Sequence, residues 1–212
     1  MKVAEHLYVY LWNDPRENNC NTVFIDGKVP LLIDPGHLAR TQDLFSRMRA
    51  DGADPGKIRV VICTHVHPDH FEGTLAFKDP AVKIAISQRE GKYIEEMEHA
   101  DQSEYRVDFY LKEGDLILGR HEFQILLTPG HTPGGLTIYW PRYKVLIAGD
   151  VVFMQSVARS DFPGGDAGDL KQSVERLSNL STELLIPGHG PAIQGGAKIR
   201  DNFEFVHRMY FR

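Results

Sequence analysis

Thr64-His65-Val66-His67-Pro68-Asp69-His70 carries three imidazoles and a carboxylate directly behind the apolar run at residues 59–63. Neutral imidazole nitrogen and carboxylate oxygen are the donors that zinc and iron take in open, reactive sites. Alternate residues of an extended segment point the same way, so His65 and His67 can grip one ion. Pro68 holds the preceding His67 out of the helical region. Asp69 can then open a helix and turn His70 in a second direction. Two donor groups on one short loop predict two adjacent metal sites. The chain has ten histidines in 212 residues; three at fixed spacings would arise by accident in roughly a few per cent of such chains. The rest of the weight comes from elsewhere in the sequence.

Four more segments repeat the pattern of an apolar strand running straight into a donor. Residues 123–127 lead to Thr128-Pro129-Gly130-His131, residues 144–148 to Gly149-Asp150, residues 184–186 to Pro187-Gly188-His189, and residues 31–33 to Asp34-Pro35-Gly36. Glycine permits the tight backbone such loops need and proline stiffens it. Taken singly, Pro-Gly-His is an ordinary turn and a carboxylate after a strand is an ordinary helix cap. Taken together they change the reading. Asp150 follows a strand that reads as buried, and a buried carboxylate must be paired or metal-bound. A dinuclear centre needs six or seven donors; His65, His67, Asp69, His70, His131, Asp150 and His189 supply them. His6, His99, His121 and His207 stand in polar or charged contexts and read as solvated or capping. The run Glu95-Glu96-Met97-Glu98 reads as a solvated helix face.

The length suits one domain over residues 1–212 with a proper core. The net charge of −5 argues against a nucleic-acid partner. Val3-Ala4, between Lys2 and Glu5, is too short for a signal peptide, and no apolar stretch approaches a membrane span. Two cysteines, Cys20 and Cys63, are too few for a disulfide framework and favour a cytoplasmic protein, with Cys63 a buried strand residue. Strands are expected at 7–11, 21–25, 30–33, 59–63, 82–86, 115–118, 122–127, 136–140, 144–147 and 184–186. Helices are expected at 41–50, 88–97, 170–180 and 197–212, the last with Ile199, Phe203, Val206 and Tyr210 on one face. That alternation within two strand-rich halves is an α/β pattern: two sheets packed together with helices outside.

The ordered set Asp34, His65-x-His67-x-Asp69-His70, His131, Asp150 and His189 resembles that of the metallo-β-lactamase superfamily over residues 21–191. The resemblance implies an αβ/βα four-layer sandwich with the metals between the two sheet edges. It implies that His65, His67 and His131 hold one metal, that Asp69, His70 and His189 hold the other, and that Asp150 bridges. Asp34 would orient the loop and its histidines from behind. The segments Ala148-Gly149-Asp150-Val151-Val152-Phe153 and Arg159-Ser160-Asp161-Phe162-Pro163-Gly164-Gly165-Asp166 are similar to the short, single-domain glyoxalase II-like (hydroxyacylglutathione hydrolase-like) branch. Larger glyoxalase II proteins add a C-terminal helical domain that helps hold glutathione; this chain, ending soon after His189, is expected to lack it. Two positions depart from the branch. Ala158 stands for a glycine. Glu72 stands for a small residue, where it would either narrow the pocket or face outward. The same segment is also similar to persulfide dioxygenases, which use one iron.

The activity so implied is hydrolysis of a small-molecule substrate, an acyl thioester and foremost a glutathione thioester. The attacking hydroxide would come from water acidified between two divalent cations, with Asp69 and Asp150 as the catalytic carboxylates. Zinc is the first choice of metal, with iron or manganese as alternatives. Arg159 is expected either to bind a substrate carboxylate or to pair with Asp161. His37 is a candidate for the rim of the site. The competing readings are a mononuclear-iron oxidoreductase, a lactone or phosphoester hydrolase on the same fold, and a binding protein that has lost catalysis; the intact donor set argues against the last.

Overall fold

The computed structural model describes residues 1–14, 16–96 and 105–211. Two sheets lie face to face. The first holds β1 (Lys2–Ala4), β2 (Leu7–Tyr10), β3 (Thr22–Ile25), β4 (Leu31–Ile33), β5 (Val60–Ile62), β6 (Lys83–Ser87) and β7 (Phe109–Leu111), hydrogen-bonded in that order. Pairing is antiparallel from β1 to β4 and parallel from β4 to β7. The second runs β15-β14-β11-β10-β9-β8, built from β8 (Gly114–Leu118), β9 (His121–Leu127), β10 (Leu136–Trp140), β11 (Val145–Gly149), β14 (Leu184–Pro187) and β15 (Ile193–Gln194). Only β11 and β14 are parallel in it. A small ribbon, β12 (Val152–Phe153) with β13 (Ser156–Val157), stands apart.

The layering follows from side-chain alternation. Val23, Ile25, Ile33, Val60 and Ile62 of the first sheet meet Ile125, Ile138, Trp140 and Ile147 of the second in one apolar layer. Their neighbours Phe24, Leu32 and Val61 face the other way, onto Leu44 and Met48 of α1 (Thr41–Ala50). On the far side, Leu146 and Leu185 pack on Leu170, Val174 and Leu177 of α4 (Ala167–Ser178) and on Ile199, Phe203 and Val206 of α5 (Gly196–Tyr210). Strands buried on both faces carry few polar residues, which is why β3, β4 and β5 read as short apolar runs. The result is the expected helix–sheet–sheet–helix sandwich. No helix among the described residues is long and apolar enough to cross a membrane.

Several elements differ from the sequence reading. β1, β7, β12, β13 and β15 were not expected; each has two or three residues, too few to show alternation. α4 starts three residues before the expected Leu170 because the Asp166 carboxylate accepts the Asp169 amide and caps it. The helix expected at 88–97 is α3 (Gln88–Glu96); Met97, Glu98 and His99 lie outside the described residues. Tyr210 does not share the buried face of α5 and is 48 % exposed; Asn202 takes the buried position instead, its side-chain NH2 donating to Phe153 O. His121 is not solvated. It is buried on the inner face of β9, edge-on to Trp140, and its Nε2–H donates to Asp26 O at 3.0 Å.

Ile138 lies at the centre of the inter-sheet layer and is fully buried. Ile138→Ala should cost about 2–5 kcal/mol of unfolding free energy in urea titration. Ile117→Ala, at an exposed position of β8, should stay within about 0.5 kcal/mol of the parent.

Candidate metal centre

All five donor-bearing segments leave the C-terminal ends of strands on one edge of the sandwich: β4 into Asp34, β5 into the histidine loop, β9 into His131, β11 into Asp150 and β14 into His189. Backbone freedom is needed where they crowd. Gly149 has φ +53°, and a Cβ there would meet Thr64 at 2.8 Å. A Cβ on Gly188 would collide with Asp150 Oδ1.

Asp34 anchors the loop. It has φ +54°, a costly conformation for a residue with a side chain. Thr22 Oγ1 donates to its carbonyl at 2.7 Å. Its Oδ1 accepts the Thr64 amide at 2.7 Å, and its Oδ2 accepts the Thr64 hydroxyl at 2.8 Å and the His70 Nδ1–H at 2.9 Å. These contacts set the tautomers. With Nδ1–H committed to Asp34, Nε2 is the nitrogen that His70 turns toward Asp150 and His189. The Thr64 hydroxyl, already donating to Asp34, accepts from His65 Nδ1 at 3.2 Å, which leaves His65 Nε2 free. His131 donates Nδ1–H to Arg159 O at 2.6 Å and likewise keeps Nε2 as a donor atom.

Two groups result. His65, His67 and His131 point nitrogens at a common space, with His131 Nε2 2.9 Å from His67 Nδ1. Asp69, His70 and His189 form the second: His189 Nε2 lies 3.2 Å from Asp69 Oδ2 and 3.3 Å from His70 Nε2. Asp150 sits between them. Its Oδ2 is 3.6 Å from His131 Nε2 and 3.4 Å from His189 Nε2, and its Oδ1 is 3.4 Å from His70 Nε2. The chemistry of the donors fits a pair of cations. His65 Nε2 and Asp150 Oδ1 are buried polar atoms with no hydrogen-bond partner, a costly arrangement unless something else binds them.

The electrostatics point the same way. Burial pushes the His65 pKa well below its ordinary value, and burial with the nearby His131 pushes His67 down to about 4. Burial would raise the carboxyls of Asp69 and Asp150, but His189 and His70 beside Asp69, and His70 and His189 beside Asp150, overcome it. Asp69 falls to about 2 and Asp150 well below the carboxylate range. Burial opposes charge on His189 and His70 as well; Asp150 and Asp69 nevertheless raise His189 to about 9, and Asp150 and Asp34 raise His70 well above its usual value. Two ionised carboxylates thus hold imidazole protons that a divalent cation would displace.

The other residues singled out from sequence are placed as follows. Arg159 lines a cleft of about 670 Å³ over the donors, together with Tyr93, Phe153, Phe162 and Pro163. Its guanidinium is paired with both oxygens of Asp161, at 2.7 and 2.8 Å, and lies 4.0 Å from the Phe162 ring centroid. His37 does not line that cleft. It pairs with Glu72 Oε2 at 2.9 Å, which also accepts the Leu38 amide. Glu72 is therefore turned away from the cleft. Ala158 is buried, its amide donating to Val151 O at 3.2 Å.

Two asparagines beside the donors escaped the sequence reading. Asn18 donates to Asp69 Oδ2 at 2.8 Å. Asn21 is buried, and its side-chain NH2 donates to Pro187 O at 2.9 Å and Gly190 O at 2.8 Å, on either side of His189. Both act on segments remote in sequence, and an asparagine ahead of a strand carries no signal of that.

Comparison with known proteins agrees with this geometry. The family model described as the metallo-beta-lactamase superfamily matches residues 15–189. An uncharacterized protein of Aquifex aeolicus is 49 % identical over 175 residues, covering 75 % of this chain and 77 % of its own. The hydroxyacylglutathione hydrolase GloC of Haemophilus influenzae is 30 % identical over 199 residues, covering 88 % of this chain and 92 % of its own. Among solved structures, TTHA1623 in a di-iron-bound form superposes with a TM-score of 0.70 at 30 % identity, covering 86 % of this chain and 93 % of that one. With the αβ/βα sandwich and its rim of histidines and aspartates in place, the chain belongs to the metallo-beta-lactamase superfamily, whose members bind divalent metals and are mostly metal-dependent hydrolases.

Proposed function

We propose that this protein is a dinuclear metal-dependent hydrolase that cleaves a small acyl thioester, a glutathione thioester first among them. The observation that carries the proposal is the position of Asp150, within 3.4–3.6 Å of histidines from both donor groups. His65, His67 and His131 would hold one cation, Asp69, His70 and His189 the other, and Asp150 would touch both. Zinc suits imidazole and carboxylate donors, as do iron and manganese. The di-iron state of TTHA1623 supports iron beside zinc. When bound, such a pair supplies Lewis acidity and a water acidified toward neutral pH.

The chain's own residues do the rest. Asp34, Thr64 and Arg159 O fix the His70, His65 and His131 rings, so the donors need not reorganise as charge develops. Phe153, Phe162 and Tyr93 give the cleft an apolar wall that shields the reacting carbonyl from bulk water. Asn18 holds Asp69 Oδ2 at the mouth; Asp69, ionised and reachable from the cleft, is placed to orient the attacking water as a hydrogen-bond acceptor. A thiolate leaves without needing a proton, so no separate acid is required. GloC, a hydroxyacylglutathione hydrolase in name, supports the thioester class.

Elemental analysis of metal-saturated protein should give about two metals per chain; a value that stays near one would remove the bridging role of Asp150. His131→Ala and Asp150→Ala should each abolish hydrolysis, because each strips a donor from the centre, while His207→Ala on α5 should stay within a few-fold of the parent. For the substrate, S-lactoylglutathione should be cleaved by the zinc or the iron form. An oxygen electrode with glutathione persulfide is the counter-test: sustained oxygen uptake by the iron form without thioester cleavage would replace the hydrolase reading with persulfide oxidation.

A further inference from the structure

Glu90 is fully buried in the first turn of α3. Its neighbours Ser87-Gln88-Arg89-Glu90 have the S-x-x-E spacing of a helix capping box, in which serine takes the amide of the glutamate and the glutamate returns to the serine amide. The first half is present: Ser87 Oγ accepts the Glu90 amide at 3.0 Å. The second half is not. The Ser87 position is committed to the β6–β7 ladder opposite Leu111, and the Glu90 carboxylate goes elsewhere. Oε2 accepts the Val66 amide at 3.0 Å, and Oε1 accepts the Gly134 amide at 2.8 Å.

Those two amides are not arbitrary. Val66 lies between His65 and His67 on the first sheet's loop. Gly134 lies three residues after His131 on the second sheet's loop. The side chain therefore ties together the two loops that supply the nitrogens of one donor group, the group in which His131 Nε2 and His67 Nδ1 stand 2.9 Å apart. Gly134 is built for the approach: a Cβ there would meet the Glu90 amide nitrogen and Ser87 Oγ at 2.5 Å. None of the ion pairs among the described residues includes Glu90, so the carboxylate rests on neutral donors, the Val66 and Gly134 amides among them. Burying a carboxylate is expensive, and a neutral helix cap would serve α3 at lower cost. The expense is explained if both oxygens are needed at once, one for each loop.

We infer that Glu90 is a positioning residue for the metal held by His65, His67 and His131, clamping the two histidine loops at the spacing that metal requires, with no part in holding the metal at Asp69, His70 and His189. The inference rests on the dinuclear reading above. Glutamine at this position keeps one acceptor oxygen but turns an NH2 toward the second amide; alanine removes both acceptors. The loss of affinity should therefore be graded.

Single-site backgrounds make the test clean. In the full chain carrying His189→Ala, the affinity for zinc of the remaining histidine group is measured by chelator competition, alone and with Glu90→Gln or Glu90→Ala. In the full chain carrying His67→Ala, the same two substitutions are measured at the other group. The expected result is a loss of ~10–100-fold in the first background, larger for Ala than for Gln, and less than about 3-fold in the second. Urea denaturation of the metal-free variants is run alongside. If Glu90→Ala does not fold, Glu90→Gln carries the comparison. Equal losses in both backgrounds, or unchanged zinc affinity in the His189→Ala background, would overturn the assignment and leave Glu90 a residue of the fold. Failure of the His189→Ala background itself to take up zinc would instead count against the dinuclear reading, so the two failures are told apart.

Discussion

Asp34 lies buried at the end of β4, where its carboxylate receives the Thr64 amide, the Thr64 hydroxyl and the His70 Nδ1–H. A carboxylate in that position is tolerated because every contact it makes is a donor, and each donor is charged with a second task. The Thr64 hydroxyl passes the polarity on to His65; the His70 ring presents its other nitrogen to Asp69, His189 and Asp150. The left-handed backbone at residue 34 aims the side chain back across β5 rather than into solvent. Removing it would strand three polar groups in the interior and free two imidazoles to turn. The two ends of the histidine loop, Thr64 and His70, are thus held from below by one short side chain.

The sandwich explains why so many polar groups can gather at one rim. Its three apolar layers are continuous, and none of the site residues interrupts them. His65, His67, His131, Asp150 and His189 stand in the loops that follow strands, where chain direction changes and the backbone hydrogen bonds of the sheet have ended, and Asp69 and His70 come next on the short helix α2 (Pro68–Phe71). The two sheets contribute one after the other along the chain. The first gives the His65–His70 loop and its Asp34 support. The second gives His131, Asp150 and His189 from β9, β11 and β14. The cross-links between them are largely backbone acceptors and donors: Asn21 on the carbonyls around His189, Glu90 on the amides of Val66 and Gly134, and the Leu136 amide on Thr64 O. The preorganisation of the centre depends on these as much as on the donors.

The donors themselves were legible in the sequence because each is a chemically loud residue after a quiet apolar run. Asp34, His65 to His70, His131, Asp150 and His189 could all be found that way, and the sheet–sheet layering followed from the same runs. Asn21 and Glu90 were not legible. Each serves backbone groups brought close only by folding, and a backbone amide leaves no mark in the sequence. His121 failed for a different reason. Its neighbours Arg120 and Glu122 suggested solvent, yet the alternation His121, Phe123, Ile125 places it on the inner face. Period two should have outweighed local polarity there. The edge strands β7 and β15 were too short for any pattern to show.

Donors for either group come from both halves of the chain. The His65 group lacks a member until residue 131 is in place, and the His70 group until residue 189. During synthesis from the N-terminus, the emerging first sheet therefore displays imidazoles and carboxylates without a closed cage for an ion. An ion held by either group would consequently be captured late, after docking of the second sheet, and would fasten a seam that hydrophobic contact had already drawn together.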